Sequence, residues 1–308
     1  MKKRTVALLS GGISSEREVS LNSGNQVFEA LDKEKYRVIR YDPKTDLPRL
    51  VAEADDIDVA LVILHGPFGE DGTVQGLLDL LGIPYQGAGV LGSAAAMNKL
   101  AAKRLYAQCG LPVPAYRVIE TESGFDADAC IADIGLPLVV KPVAAGSSVG
   151  MTIVRDASAL KPAVQSALAF DRQVLAEAFV DGVEVTGGVI GNDAVEALPL
   201  IEIIPGEGHE FFDYAAKYTP GATQEICPAR IDANLTEKAQ RYAVEAHKAL
   251  FCRGYSRTDM ILKDGEFYVL ETNTIPGMTQ TSLFPQAAAA AGMDFTRLLD
   301  RLIELALA

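Results

Sequence analysis

Apolar residues cluster into short runs along the first hundred residues. "TVALL" (5–9), "YRVIRY" (36–41) and "VALVILHG" (59–66) read as strands, separated by segments long enough for helices. Ser15 and Glu18 form a capping-box pattern, predicting a helix that reaches about Leu31. Strands separated by helices predict a parallel sheet with helical crossovers. Ligands bind such sheets beyond the C-terminal strand ends. "SGGISSERE" and "HGPFGEDGT" lie at two of those ends.

A second unit begins near Asn98. A helix, "KLAAKRLYAQCG", is ended by Gly110, and "PVPAYRVI" leads to a strand, Leu138–Lys141. Two further β-runs follow, "RQVLAEAFV" (172–180) and "VEVTGGVIG" (183–191). A third region starts around Glu184. Its polar stretch 205–228 is long for a connection inside a compact domain and reads as a working lid. Next come a helix, "TEKAQRYAVEAHKALF", then two strands around Asp264-Gly265, and a short Ala-rich helix at 287–291.

Composition narrows the function classes. A chain of 308 residues, 49% hydrophobic, can bury a large core in two or three domains. Its net charge of −13 repels nucleic acid and anionic membranes, and no dense Lys/Arg run offsets it. "MKKRTVALL" is too short in its apolar part for a signal peptide, and no stretch of about 20 apolar residues follows, so a soluble cytoplasmic protein without membrane partners is expected. Cys109, Cys130, Cys227 and Cys252 are far apart with no CxxC, and read as buried free thiols.

Several positions carry candidate chemistry. "KPVAAGSSVG" (141–150) follows a strand, and its small residues, Gly146, Ser147 and Ser148 among them, would let backbone amides close around an anion. It lacks the spacing of a Walker loop or a dinucleotide fingerprint, and a plain loop stays open. Lys99, Lys141 and Lys217 are each ordinary surface lysines or, together, partners of a triphosphate. His65 ends an apolar strand on the same edge as Glu16. A hydrogen-bonded core histidine and a first-turn helix charge are the plainer readings of those two.

Arg257 and Asp259 alternate onto one face of their strand, and Glu271 and Asn273 do so on theirs. Carboxylate and amide oxygens on paired strands suit Mg²⁺; a surface salt bridge is the alternative. A two-residue turn at Asp264-Gly265 would pair Lys263 with Glu266 and set Asp259 opposite Leu270, turning Glu271 to the other face. A shared metal site therefore requires a one-residue correction: a three-residue loop over 264–266, or a bulge in either strand.

Taken together, "EREVSLNSG", "HGPFGEDGTVQG", "KPVAAGSSVGM", "AKY", "RTDMIL" and "LETNTIPGMTQTSL" resemble, in order and over nearly the whole chain, the D-alanine–D-alanine ligases of the ATP-grasp superfamily. The resemblance implies an α/β architecture. An N-terminal parallel-sheet, Rossmann-like domain (1–98) would precede a two-part ATP-grasp fold. The central subdomain (99–183) would carry a phosphate flap at 142–150, and the C-terminal one (184–308) the metal site and a lid at 205–224. It also implies ATP and D-alanine as substrates, two Mg²⁺ (or Mn²⁺) as cofactors, a role in peptidoglycan precursor synthesis, and a homodimer.

By position, the resemblance makes Lys99, Lys141, Ser147, Ser148 and Lys217 phosphate contacts. Glu177 and Val180 would hold adenine and Glu184 ribose; Asp259, Glu271 and Asn273 would hold metal. Glu16 would take the first substrate's ammonium with His65 nearby, Arg257 and the Gly277 amide the oxyanion, and Ser282 and the Leu283 amide the second carboxylate. Glu16, Ser147 and Tyr218 would form the link that shuts the lid. Asn98, Ala145 and Ala215 depart from what many members carry, which bears on loop closure and ATP affinity. Tyr218, where D-lactate-using relatives commonly have Phe, favours an amine nucleophile.

Overall fold

In the computed structural model, the described residues are 3–122, 124–146, 149–206 and 223–308. The first apolar runs form β1 (Arg4–Ser10), β2 (Tyr36–Tyr41) and β3 (Val59–Ile63), a parallel sheet with β1 in the middle. Every residue of β3 and all but the first of β1 are buried, so both faces of the sheet are covered, as parallel sheets require. Alternation divides the coverage. Val6 and Leu8 pack with Leu298, Leu299 and Leu302 of the C-terminal helix Phe295–Leu307, whereas Ala7 and Leu9 pack with Leu50, Val74 and Leu78.

The helix after β1 departs from its predicted cap. α1 spans Arg17–Ala30 with Glu16 at the N-cap and no side-chain cap. The Ser14 hydroxyl, not Ser15, organises the turn: it accepts from the Glu16 amide (3.2 Å) and donates to the His65 carbonyl (2.7 Å). The helix starts late enough that Glu18 falls at its second position, out of the capping-box register. Asp42 pins the preceding glycine loop, accepting from the Gly12 amide (2.9 Å) and pairing with Arg17 (2.5 Å). Partial burial would raise the Asp42 pKa, but Arg17 and the Gly12 and Lys44 amides overcome it and hold it at about 2.

A second sheet is antiparallel: β4 (Tyr116–Ile119), β7 (Val174–Ala178), β5 (Leu138–Pro142) and β6 (Thr152–Val154), in that order. The flap is the connection from β5 to β6. Ser147 and Ser148 lie outside the described residues. A third antiparallel sheet follows the order β11 (Thr223–Ile226), β10 (Ile201–Pro205), β8 (Val183–Gly191), β12 (Gly254–Lys263), β13 (Glu266–Asn273), with β9 (Glu196–Ala197) on β8. Pro205 pairs with Thr223, so the two ends of the expected lid belong to adjacent strands. The lid between them, including Ala215, Lys217 and Tyr218, lies outside the described residues.

Helix Ala233–Ala249 covers one face of this sheet and begins three residues before the predicted start, because Asp232 caps it by accepting from the Leu235 amide (2.9 Å). Gly187 lets this helix approach: a Cβ there would sit 2.9 Å from that of Ala243. Helix Lys99–Gln108 is capped by Asn98, which accepts from the Ala101 amide (2.9 Å). An Asp there would offer the same oxygen, so this departure leaves the cap intact. All four cysteines are free thiols, but Cys109 is exposed, against the expectation of burial, because it occupies the solvent-facing C-cap of that helix. Among the described residues no helix is long and apolar enough to cross a membrane.

Candidate active site

The β12–β13 hairpin places the chemistry. Asp264 (φ 51°) and Gly265 (φ 79°) form a tight two-residue turn pairing Lys263 with Glu266. Uninterrupted, that register would part Asp259 from Glu271. The ladder instead shifts between Asp259 and Met260: Met260 pairs with Val269 and Asp259 with Glu271, leaving Leu270 as the extra residue of a bulge. Arg257 then pairs with Asn273, so Arg257, Asp259, Glu271 and Asn273 share one face. This is the one-residue correction that a shared metal site requires.

Asp259 is buried and heavily bonded. Its Oδ1 accepts from Thr186 Oγ1 (2.6 Å) and Arg257 Nε (3.0 Å); its Oδ2 accepts from Arg257 Nη2 (2.9 Å) and Asn273 Nδ2 (3.1 Å). No group of three or more His, Cys, Asp or Glu is gathered for a metal among the described residues. The hairpin offers two carboxylates and one amide, a hard-oxygen set that suits Mg²⁺ when phosphate oxygens complete the shell.

Two cavities flank this face and share Lys99 and Glu271. The smaller, of about 130 Å³, lies between the second and third sheets. Lys141, Glu177, Val180, Glu184, Asp259 and the flap residue Ala145 line it, with Val139, Met151, Phe179 and Leu270 as apolar walls. The larger, of about 520 Å³, opens toward the parallel sheet and is lined by Glu16, His65, Glu70, Arg257, Asn273, Gly277, Ser282 and Leu283. All the predicted site residues except Ser147, Ser148, Lys217 and Tyr218, which lie outside the described residues, therefore line one cavity or the other.

The cations sit on the anions. Lys99 Nζ is 3.3 Å from Glu271 Oε2 and donates to the Ala145 carbonyl of the flap (2.7 Å). Lys141 Nζ donates to Glu177 Oε1 (3.1 Å), and Arg257 forks onto Asp259. The flap also reaches the larger cavity, where a Cβ on Gly146 would lie 3.3 Å from Glu16 Oε2. Burial pulls the His65 pKa below its usual value, with Glu16 and a hydrogen bond to the Ile275 backbone opposing and Arg257 assisting. Its Nε2 is buried without a hydrogen-bond partner among the described residues, on a ring that lines the larger cavity. Across the mouth, Ser282 Oγ accepts from the Thr279 amide (3.1 Å) and lies 2.7 Å from Thr279 Oγ1; a Cβ on Gly277 would sit 3.0 Å from it.

Two charged residues of this region escape the sequence reading. Burial pushes the Glu70 carboxyl up to about 8, with Glu16 and Glu271 adding to the shift and the Gly66 amide (2.7 Å) opposing it. Glu70 falls inside the "HGPFGEDGT" motif at a C-terminal strand end. Lys103 is fully buried behind Glu177, with Nζ 2.6 Å from Oε2. Its only trace is a lysine spaced among Leu100, Ala102 and Tyr106, the buried positions of its helix.

Comparison with known proteins places these features. The family model described as D-ala D-ala ligase C-terminus matches residues 105–304, and that described as D-ala D-ala ligase N-terminus matches residues 42–88. The chain is 63% identical to the D-alanine–D-alanine ligase of Syntrophobacter fumaroxidans, covering 99% of this chain and 98% of that one. It is 55% identical to the D-alanine–D-alanine ligase of Desulfotalea psychrophila, covering 98% and 94%. Among solved structures it is similar to the D-alanine–D-alanine ligase of Bacillus anthracis complexed with ATP, with TM-score 0.87, 36% identity and coverage of 99% and 97%. It is also similar to the VanG D-Ala:D-Ser ligase of Enterococcus faecalis, with TM-score 0.84, 33% identity and coverage of 99% and 100%.

Proposed function

The chain belongs to the D-alanine–D-alanine ligase family, and on that footing we propose that it joins two D-alanines, with ATP cleaved to ADP and phosphate, for peptidoglycan precursor synthesis. The observation that carries this reading is the bulged hairpin, which turns Arg257, Asp259, Glu271 and Asn273 to one face between two cavities that share Lys99 and Glu271. The carboxylate of the first D-alanine attacks the γ-phosphate, giving an acyl phosphate. The amine of the second attacks the acyl carbon, and phosphate leaves. Such a reaction needs charge neutralised and reactants aligned, not a covalent nucleophile on the enzyme.

On this reading Glu16 holds the first ammonium and the unmet His65 Nε2 lies beside it. Arg257 and the Gly277 amide stabilise the oxyanion, and Ser282 with the Leu283 amide takes the second carboxylate. Lys99 and Lys141 leave Glu271 and Glu177 for the phosphates of ATP. Glu177 and Val180 take adenine and Glu184 takes ribose. Asp259, Glu271 and Asn273 would hold two Mg²⁺, which when bound neutralise phosphate charge. Ser147, Ser148, Lys217 and Tyr218 complete the flap and lid. The enzyme acts as a cytoplasmic homodimer.

The similarity to a D-Ala:D-Ser ligase makes the second substrate the point to test. Phosphate release is measured with ATP, Mg²⁺ and D-alanine alone, and then with D-serine, D-lactate or L-amino acids added. Release with D-alanine alone, accompanied by D-alanyl-D-alanine, is expected. Release only when D-serine or D-lactate is added would reassign the second substrate, and ATP binding without release under any condition would remove the activity.

A further inference from the structure

Lys103 is the most deeply buried cation near the site, at 0% exposure, and it lines neither cavity. Its ammonium sits behind Glu177, 2.6 Å from Oε2, where opposite charge holds it. Lys141 approaches the other oxygen, Oε1, from the cavity side at 3.1 Å. The carboxylate, 3% exposed, is therefore clamped between a lysine that a ligand can reach and one that it cannot. Burial would raise the Glu177 pKa, yet the two lysines hold it below the ordinary carboxylate range.

The two lysines have different fates when nucleotide enters. Lys141 is drawn to phosphate and loosens its hold on Oε1. Lys103 lines neither cavity, so a ligand there cannot draw it away: its ion-pair partner is Glu177, Lys141 and Glu271 act on it through charge, and the Tyr116 ring lies with its centroid 5.9 Å from Nζ. After Lys141 turns away, Lys103 alone keeps a buried carboxylate ionised. Removing one partner of such a buried pair leaves an uncompensated charge, which the carboxylate relieves by taking a proton.

We propose that Lys103 is a positioning residue for nucleobase selectivity: it keeps Glu177 charged and oriented as a pure acceptor, so that the cavity takes a base with an amino group at the 6-position and rejects one with a carbonyl there. This rests on the reading of the Glu177 cavity as the adenine site. An ionised carboxylate accepts from the adenine amino group and repels the carbonyl of hypoxanthine. A protonated carboxyl can donate to that carbonyl, and the distinction collapses.

The test is calorimetric binding of ATP and inosine triphosphate to the full chain with Mg²⁺, for wild type and for Lys103→Met, Lys103→Gln, Lys103→Arg and Glu177→Gln. Wild type is expected to prefer ATP by about 100-fold. Lys103→Met should cut that ratio to below about tenfold, mainly by weakening ATP, with D-alanine affinity unchanged. Lys103→Gln retains a donor to Glu177 and removes only the charge, so it gives the same fall should the Met variant not fold. Lys103→Arg restores the charge and should recover most of the preference. A wild-type ratio in Lys103→Met or Lys103→Gln, alongside its loss in Glu177→Gln, would make Lys103 merely structural and overturn the proposal while leaving the adenine site standing. An unaltered ratio in Glu177→Gln, or no preference in wild type, would remove the adenine reading and this inference with it.

Discussion

The two cavities that meet at Lys99 and Glu271 satisfy their charges in different ways. On the nucleotide side, Glu177 is held by Lys103 and Lys141 inside a narrow, largely apolar slot, and each of these three ions has its counter-charge before any ligand arrives. On the substrate side, a cavity about four times larger is lined by His65, whose buried Nε2 has no hydrogen-bond partner among the described residues, and by Glu70, its carboxyl pushed up to about 8. On the proposed assignment, the first is preorganised for one flat base, and the second takes a zwitterionic amino acid between charged and polar groups. Substitutions on the two sides should consequently move different kinetic constants.

The largest effect is expected where the cavities join. Glu271→Gln keeps the volume and removes a carboxylate, and turnover should fall by at least about 100-fold at limiting Mg²⁺, with a melting temperature within about 3 °C of wild type. Turnover within about threefold of wild type would take Glu271 out of the site. Arg257→Lys preserves the charge beside Asp259 and loses the planar fork. It should lower kcat by about 100-fold and leave the KM for ATP within about threefold; a change confined to KM would assign Arg257 to binding.

A smaller effect is expected on the substrate side alone. Glu16→Gln should raise the KM for D-alanine by about tenfold, with ATP affinity nearly constant. Equal weakening of both substrates would mean that the two cavities are not separable at Glu16.

The smallest kinetic effect is expected at a buried ionisable group that lines neither cavity. His247 is buried on helix Ala233–Ala249 where it packs against the third sheet, with Nδ1 2.8 Å from Ser256 Oγ, and burial pulls its pKa down to about 4. The folded state thus holds the ring neutral while the unfolded chain protonates near 6.5. Its stabilising contribution is complete above about pH 6.5 and is lost as pH falls toward 4, amounting to about 3 kcal/mol across that window. Urea unfolding of wild type and His247→Asn at pH 7 and pH 4.5 should show the variant losing less stability on acidification, with kinetics at pH 7 nearly unchanged. Parallel loss in both proteins would contradict the assignment.

Legibility in the sequence followed local physics. The parallel sheet was visible because strands buried on both faces leave continuous apolar runs, as at 5–9 and 59–66. The hairpin was visible as a constraint: Asp264-Gly265 specified the turn, and the same-face requirement on Asp259 and Glu271 specified that a residue must be extruded. Which residue bulges was not legible, because it is settled by the fit of β12 between β8 and β13, a tertiary effect. The cap of α1 was misread for a similar reason: Ser14 and Ser15 are alike in sequence, and only the neighbouring His65 carbonyl decides between them. Lys103 escaped because its meaning lies in Glu177, 74 residues away (177 − 103) and on another element.

The chemistry proposed at the junction of the cavities makes one demand that no other route to the dipeptide shares. Passing through an acyl phosphate transfers one carboxylate oxygen of the first D-alanine to the departing phosphate. The enzyme is supplied with ATP, Mg²⁺ and D-alanine labelled with oxygen-18 in its carboxylate, and the phosphate and dipeptide are analysed by mass spectrometry. One labelled oxygen in the phosphate for each D-alanyl-D-alanine formed is the expected result; dipeptide accompanied by unlabelled phosphate would contradict it.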